Sequence, residues 1–137
     1  MNRVVITGLG IVSPIGNSAE EVVASLKAGK SGVEASPEMA ERGFRSRVAG
    51  TLKIDVTSHV DKRRLRFMGP GAAYAHIAME QAIADSGLEE SEISNERTGL
   101  IVGSGGPSTK VIIEAAATTR EKGPKRIGPF AVPKAMS

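Results

Sequence analysis

Apolar and polar positions change rhythm along this chain, and the changes mark out strands and helices. Val4-Val5-Ile6-Thr7 is a β-branched apolar run that ends in Gly8-Leu9-Gly10, the pattern of a buried strand leaving through a tight turn. Ser18-Ala19-Glu20-Glu21 then fits a capping box, Val22, Val23 and Leu26 make an apolar stripe at helical spacing, and Gly29 lies in reach of the C-terminus. That spacing predicts a helix over residues 19–28. Residues 31–60 are less regular, with Arg47-Val48-Ala49-Gly50-Thr51-Leu52 the best local strand. Gly69-Pro70 opens a long helix, Pro suiting its first position, and Gly87 stops it after Ser86. On that helix Ala72, His76, Met79 and Ile83 share one face, with Ala75, Ala78 and Ala82 allowing close packing beside them. Thr98-Gly99-Leu100-Ile101-Val102 reads as a second buried strand, and Gly103 to Gly106 as the turn after it. A helix over residues 108–121 carries Val111, Ile112 and Ala115 inward before Gly123-Pro124 breaks the chain.

Alternation of strand and helix argues for an α/β fold. The chain has 137 residues with no internal repeat, low-complexity tract or long charge run, which fits one domain, or one piece of a larger one, over residues 1–137 and no second domain. Hydrophobic residues make up 40% and charged residues 24%, an ordinary globular balance rather than a disordered one. One Tyr, three Phe and no Trp leave little for stacking bases, so no nucleic-acid partner is expected. No apolar run approaches a membrane span and no secretory signal is convincing; the expected location is cytoplasmic. Cysteine is absent, which removes disulfides, zinc-ribbon spacing and any thiol nucleophile from these residues.

Two glycine turns invite a ligand. Gly8-x-Gly10-x-x-Ser13 follows a strand, but it lacks the third glycine of the dinucleotide fingerprint, its helix starts late, and no acidic residue closes a second strand at the required distance. A plain buried strand is the better reading. Gly103-Ser104-Gly105-Gly106 also sits between strand and helix without the Lys-Ser/Thr ending of a P-loop; taken alone it reads as a turn needing positive φ, with a site for a close ligand as the alternative. His59 and His76 have no carboxylates at metal-ligand spacing and read as structural, as Tyr74 and Met79 read as packing. No metal or other cofactor is expected. Lys62, Arg63, Arg64 and Arg66, echoed by Lys122, Lys125 and Arg126, are crowded without matching acids. An acidic partner would relieve their repulsion, whereas a solvated face is the plain alternative.

The VVITGLGIVSPIGN opening, the DKRRLRFM segment, the YAHIAMEQAIADSGL helix, the GLIVGSGG turn and the GPFAVPKAM end together resemble the N-terminal segment of the β-ketoacyl-acyl-carrier-protein synthases. The RFM and KAM elements look most like the synthase I type. The resemblance implies part of the first half of a thiolase-like layered α/β fold, in which two similar halves stack as five layers in a homodimer. It implies fatty acid biosynthesis by decarboxylative Claisen condensation of acyl and malonyl groups carried on acyl carrier protein. In that family a cysteine, two histidines and a lysine do the chemistry, and all lie beyond the segment matched here. No catalytic residue is therefore assigned, and this chain alone is expected to be inactive. The resemblance implies instead an acyl pocket touched by Gly105, Gly106, Phe130, Val132 and Met136, and carrier-protein docking by Lys62, Arg63, Arg66, Lys125 and Arg126. The alternatives are a non-catalytic homologue resembling a chain-length factor, or a carrier-protein-binding module.

Overall fold

A computed structural model of the chain describes residues 3–136. In chain order its elements are helix α1 (Ala19–Lys27), strand β1 (Val33–Ala35), helix α2 (Pro37–Glu41), strand β2 (Val48–Gly50), and helices α3 (Lys62–Leu65), α4 (Pro70–Ser86), α5 (Glu90–Ile93), α6 (Thr109–Lys122) and α7 (Ala131–Ala135). Short 3-10 turns lie at Val56–Ser58 and Pro124–Arg126. The chain divides into two compact units. One holds the residues up to Ile54 together with Ala78–Leu88, and the other holds Asp55–Ile77 and the residues from Glu89 onward.

In the first unit α1 starts where the sequence places it. The Ser18 hydroxyl accepts from the Glu21 N–H at 3.2 Å, and Gly29 closes the helix end with φ of 62°. The reciprocal half of the box is displaced by one residue, because the Glu21 carboxylate accepts from the Asn17 N–H at 2.7 Å. Only part of the expected stripe is inward: Val22 is buried, but Val23 and Leu26 are exposed, and Ser25 is buried in their stead with its hydroxyl donating to the Ile15 carbonyl at 2.6 Å. A side chain that reaches a loop carbonyl gains a partner that an apolar one could not. The strand expected at residues 47–52 is found as β2, paired antiparallel with β1 in the register Val33↔Gly50, Glu34↔Ala49 and Ala35↔Val48. Glu34, exposed on β1, pairs with Lys53, which holds its carboxyl below the usual range.

The opening run differs from its expectation. Residues 3–12 join no ladder, and Val4, Val5 and Ile6 are exposed. What holds the segment after them is α4. Gly8 and Gly10 press directly on it, so that a Cβ at either would overlap the carbonyl oxygens of Ala82 and Ala78. Gln81 and Asp85, one turn apart on α4, accept from the N–H groups of Ile11 and Leu9, both at 2.9 Å, while Gln81 donates back to the Asn17 carbonyl at 2.7 Å. Side chains thus satisfy backbone groups that a sheet neighbour would otherwise take. The same contact removes the dinucleotide reading, since helix occupies the space a pyrophosphate would need.

In the second unit the Asp55 carboxylate caps the turn at Val56–Ser58 and the Asp61 carboxylate caps α3. Val60, Ala73, Ile77 and Val111 are the buried apolar residues here. The buried face of α4 is therefore Ala73 and Ile77, not the expected Ala72, His76, Met79 and Ile83, of which Met79 and Ile83 are substantially exposed. Alanines surround the helix, so its sequence favours no stripe strongly and tertiary contact decides which side is covered. The run Thr98–Val102, expected as a buried strand, also joins no ladder; Leu100, Ile101 and Val102 are exposed. A strand of a covered parallel sheet requires neighbours along its edges and layers on its faces, and no described residue pairs with either run. α6 begins and ends within one residue of expectation, with Gly123 at φ of 84° after it. The tail, expected only as Pro-rich, forms the Pro124–Arg126 turn and α7, both packed on α6.

Candidate functional site

A groove of about 600 Å³ opens in the second unit, within the size range of small-molecule sites. Three stretches build it. The first turns of α4 contribute Gly69, Pro70 and Tyr74; the glycine turn contributes Gly103, Ser104 and Gly106; the start of α6 contributes Ser108 and Thr109, with Met136 closing one side. Glycine and proline punctuation is what places two helix starts here. Pro70 fixes the first position of α4 and Ser108 precedes α6 in an extended conformation. The Ser108 side chain makes no capping bond, and its N–H is taken by the Ala135 carbonyl at 2.9 Å, which ties the start of α6 to the end of α7. The first N–H groups of each helix have no partner within it, so both helices point their partially positive ends at the groove. Apolar walls from Val102, Ala75 and Met136 and two positive ends suit a ligand with an apolar chain and an electron-rich head.

The glycine turn is not held by glycine's special backbone. Positive φ occurs at Gly29, Gly43, Gly87 and Gly123, not at Gly103, Gly105 or Gly106, which corrects the reading of this turn as one needing positive φ. Its shape comes from Ser104, whose hydroxyl donates to the Gly106 carbonyl at 2.8 Å. A Cβ on Gly106 would meet nothing within 4 Å. Any residue could take this backbone, and glycine leaves the groove open.

Of the residues singled out from the sequence, Gly106 and Met136 line this groove together. Gly105 stands in the same turn, Val132 is 70% exposed on α7, and Phe130 lines a separate cleft of about 270 Å³ with Val111, Arg126 and Lys134. Lys62 and Arg63 lie exposed on α3 and Arg66 caps its end, while Lys125 and Arg126 lie exposed on the turn after α6. Arg42 pairs with Glu38 and Lys53 with Glu34, and no ion pair involves these five cations among the described residues. Among the groove residues that sequence reasoning passed over are Tyr74, read as packing, Gly69, read only as a helix start, and Lys110. Their signal was positional: Tyr74 is one turn beyond Pro70 on the same side of α4. Groups of three or more His, Asp or Glu that could hold a metal are absent among the described residues, and no helix of the described residues is long and apolar enough to cross a membrane.

Comparison with known proteins bears on the whole chain. The family model described as "Beta-ketoacyl synthase, N-terminal domain" matches residues 1–137. The chain is 51% identical to the 3-oxoacyl-[acyl-carrier-protein] synthase 1 of Haemophilus influenzae over 100% of its own length and 34% of that protein's. It is 49% identical to the synthase of the same name from Escherichia coli K12 with the same coverage. It thus spans about a third of the length of the curated relatives it matches. Among solved structures, the ishigamide ketosynthase/chain length factor matches with a TM-score of 0.82 at 26% identity, over 96% of this chain and 33% of that one.

Proposed function

The chain belongs to the β-ketoacyl synthase family, and on that premise we propose that it serves a condensing enzyme of fatty acid biosynthesis, contributing the acyl groove and the carrier-docking surface. The observation that carries this reading is the groove at Gly106 and Met136, kept open by a glycine that its backbone does not require. In the proposed reaction an acyl group held as a thioester is attacked by the carbanion left when a malonyl group loses carbon dioxide; a carbon–carbon bond forms and the thiolate departs. Covalent capture divides one difficult step into two. The thiol is not among these 137 residues. Their part is to hold the acyl chain and to receive its carrier.

The docking half of the proposal rests on charge. Lys62, Arg63 and Arg66 on one turn and Lys125 and Arg126 on another are exposed and unpaired, and an acidic carrier protein complements them; such patches raise association rates and fade with salt. The proposal includes a homodimer acting in the cytoplasm, both carried by likeness to the synthase I type. The match to a ketosynthase/chain length factor favours a second reading, a non-catalytic partner of a condensing enzyme. Identity of 51% to a synthase 1 against 26% to that structure weighs toward the first.

One experiment tests both halves. In the full-length protein, Lys62→Glu with Arg66→Glu should lower condensation of carrier-borne substrates by about ten- to a hundredfold at low salt, a loss that shrinks as salt rises, while a small carrier-free thioester reacts as before. Equal loss on both substrates, or none on either, overturns the docking assignment. Absence of any condensation by the unmodified full-length protein favours the non-catalytic reading.

A further inference from the structure

We propose that Phe67 is a positioning residue for carrier-borne substrates, holding the basic turn of α3 in fixed relation to the stretch that runs from Arg126 through α7 to the groove. This rests on the docking reading above and names the part that joins its two basic groups. Arg66 ends α3 and Phe67 follows it directly, with its N–H on the Arg64 carbonyl at 3.0 Å. The Phe67 ring meets Phe130 edge to face, with centroids 5.0 Å apart and planes at 81°. Two residues on, Gly69 lies so close to the end of α7 that a Cβ would come within 2.5 Å of the Lys134 carbonyl oxygen. Phe130 is the residue before α7 and Lys134 belongs to its last turn. Residues 67–69 therefore meet α7 at both ends.

The second basic group hangs from the same joint. Arg126 stands four residues before Phe130, and the intervening chain is closed by bonds from the Ile127 N–H to the Pro124 carbonyl and from the Ala131 N–H to the Gly128 carbonyl. The two contacts differ in kind. Gly69 against Lys134 is backbone on backbone and beside the groove, whereas Phe67 against Phe130 is ring on ring at the end toward the cations. Neither ring belongs to the core: Phe67 is 52% and Phe130 36% exposed. Removing the Phe67 ring thus loosens the basic turn at its Arg66 end, Val60 still anchoring the other end in the core, while the groove residues keep their contacts. A carrier that must touch both basic groups at once binds best when their spacing is already set, because ordering them on binding costs affinity. A substrate without a carrier touches neither.

The test uses the full-length protein with Phe67→Ala, Phe67→Leu and Phe67→Tyr, assayed on a carrier-borne acyl thioester and on a small carrier-free one. Phe67→Ala and Phe67→Leu should raise the KM for the carrier-borne substrate by roughly two- to tenfold, the range a ring pair of this kind supports, with kcat and the carrier-free reaction within twofold of the parent. Phe67→Tyr keeps the ring and should restore the parent KM. Equal losses on both substrates would show a merely structural ring and overturn the proposal. So would an unchanged carrier KM in Phe67→Leu when Lys62→Glu with Arg66→Glu raises it, which leaves docking standing and removes Phe67 from it. If the charge reversal itself leaves the carrier KM unchanged, the docking reading falls and takes this proposal with it.

Discussion

Replacing Gly106 with methionine in the full-length protein should shorten the longest acyl chain the groove accepts. Gly106 lines a groove of about 600 Å³, its Cβ direction is open, and its φ is not positive, so the substitution meets no steric or backbone obstacle. A cost to folding of no more than about 0.5 kcal/mol is expected. The new side chain places four heavy atoms in the groove, displacing about as many acyl carbons. Each buried methylene contributes about 0.8 kcal/mol, so a chain long enough to use the displaced space loses up to about 3 kcal/mol, roughly a hundredfold in kcat/KM. A two-carbon acyl group, which does not reach that space, should react within about twofold of the parent. The assay is kcat/KM across a series of acyl chain lengths, with thermal melting as a control for the fold. Equal loss at every length, or a large fall in Tm, would refute the reasoning and return Gly106 to a purely structural place in its turn.

Other consequences follow from single contacts. Gly10→Ala should destabilise the protein by about 2 kcal/mol or more, because its Cβ has to displace backbone of α4 rather than a movable side chain; a denaturant melt reads it. The Asp55 carboxyl is held below its ordinary value by the Thr57 hydroxyl and N–H, which donate to it at 2.7 and 2.9 Å. A depressed carboxylate contributes stability that is present above the ordinary value of 3.8 and lost as pH falls through the lower folded one, so Asp55→Asn should weaken the protein at pH 6, and the difference from the parent should shrink as pH falls below 3.8 in urea melts. The 137-residue chain on its own should self-associate, since Val4, Ile6 and Ile101 are 93%, 90% and 96% exposed in unpaired apolar runs. Ile101→Lys should reduce that association in sedimentation, and a monodisperse parent chain would contradict it.

How much of this was legible in the sequence depends on the range of each signal. Helix limits were written locally. Ser18, Pro70, Gly87 and Gly123 act on the backbone within a turn of themselves, and the ends of α1, α4 and α6 fall within a residue of where they point. Faces were not legible in the same way. α4 is ringed by alanines, and which side is covered depends on residues far along the chain, so Ala73 and Ile77 are buried where another row was expected. The apolar runs at Val4–Ile6 and Leu100–Val102 were expected as buried strands and are neither paired nor buried, because a ladder is a property of two segments. The clasp of Gln81 and Asp85 on Leu9 and Ile11 leaves no trace in periodicity, because it pairs side chain with backbone across about 70 residues of sequence.

The candidate site shows the same division most sharply in its glycines, which look alike as letters and differ in what the fold asks of them. Gly87 has a φ of 63° after the last turn of α4, where any other residue is strained. Gly10 has ordinary backbone, but no room for a Cβ. Gly106 has neither constraint, and it faces the groove. For the first two, structure explains the residue completely and no ligand need be invoked. For the third, the described fold would accept a side chain, as it would at Gly103 and Gly105, and the proposed acyl groove offers a reason for glycine that the backbone does not. Sequence pattern alone could not separate these cases, and resemblance alone could name the turn without giving its reason. The open geometry is what makes Gly106→Met an informative substitution: its effect on folding and its effect on chain length come from different atoms and can be measured apart.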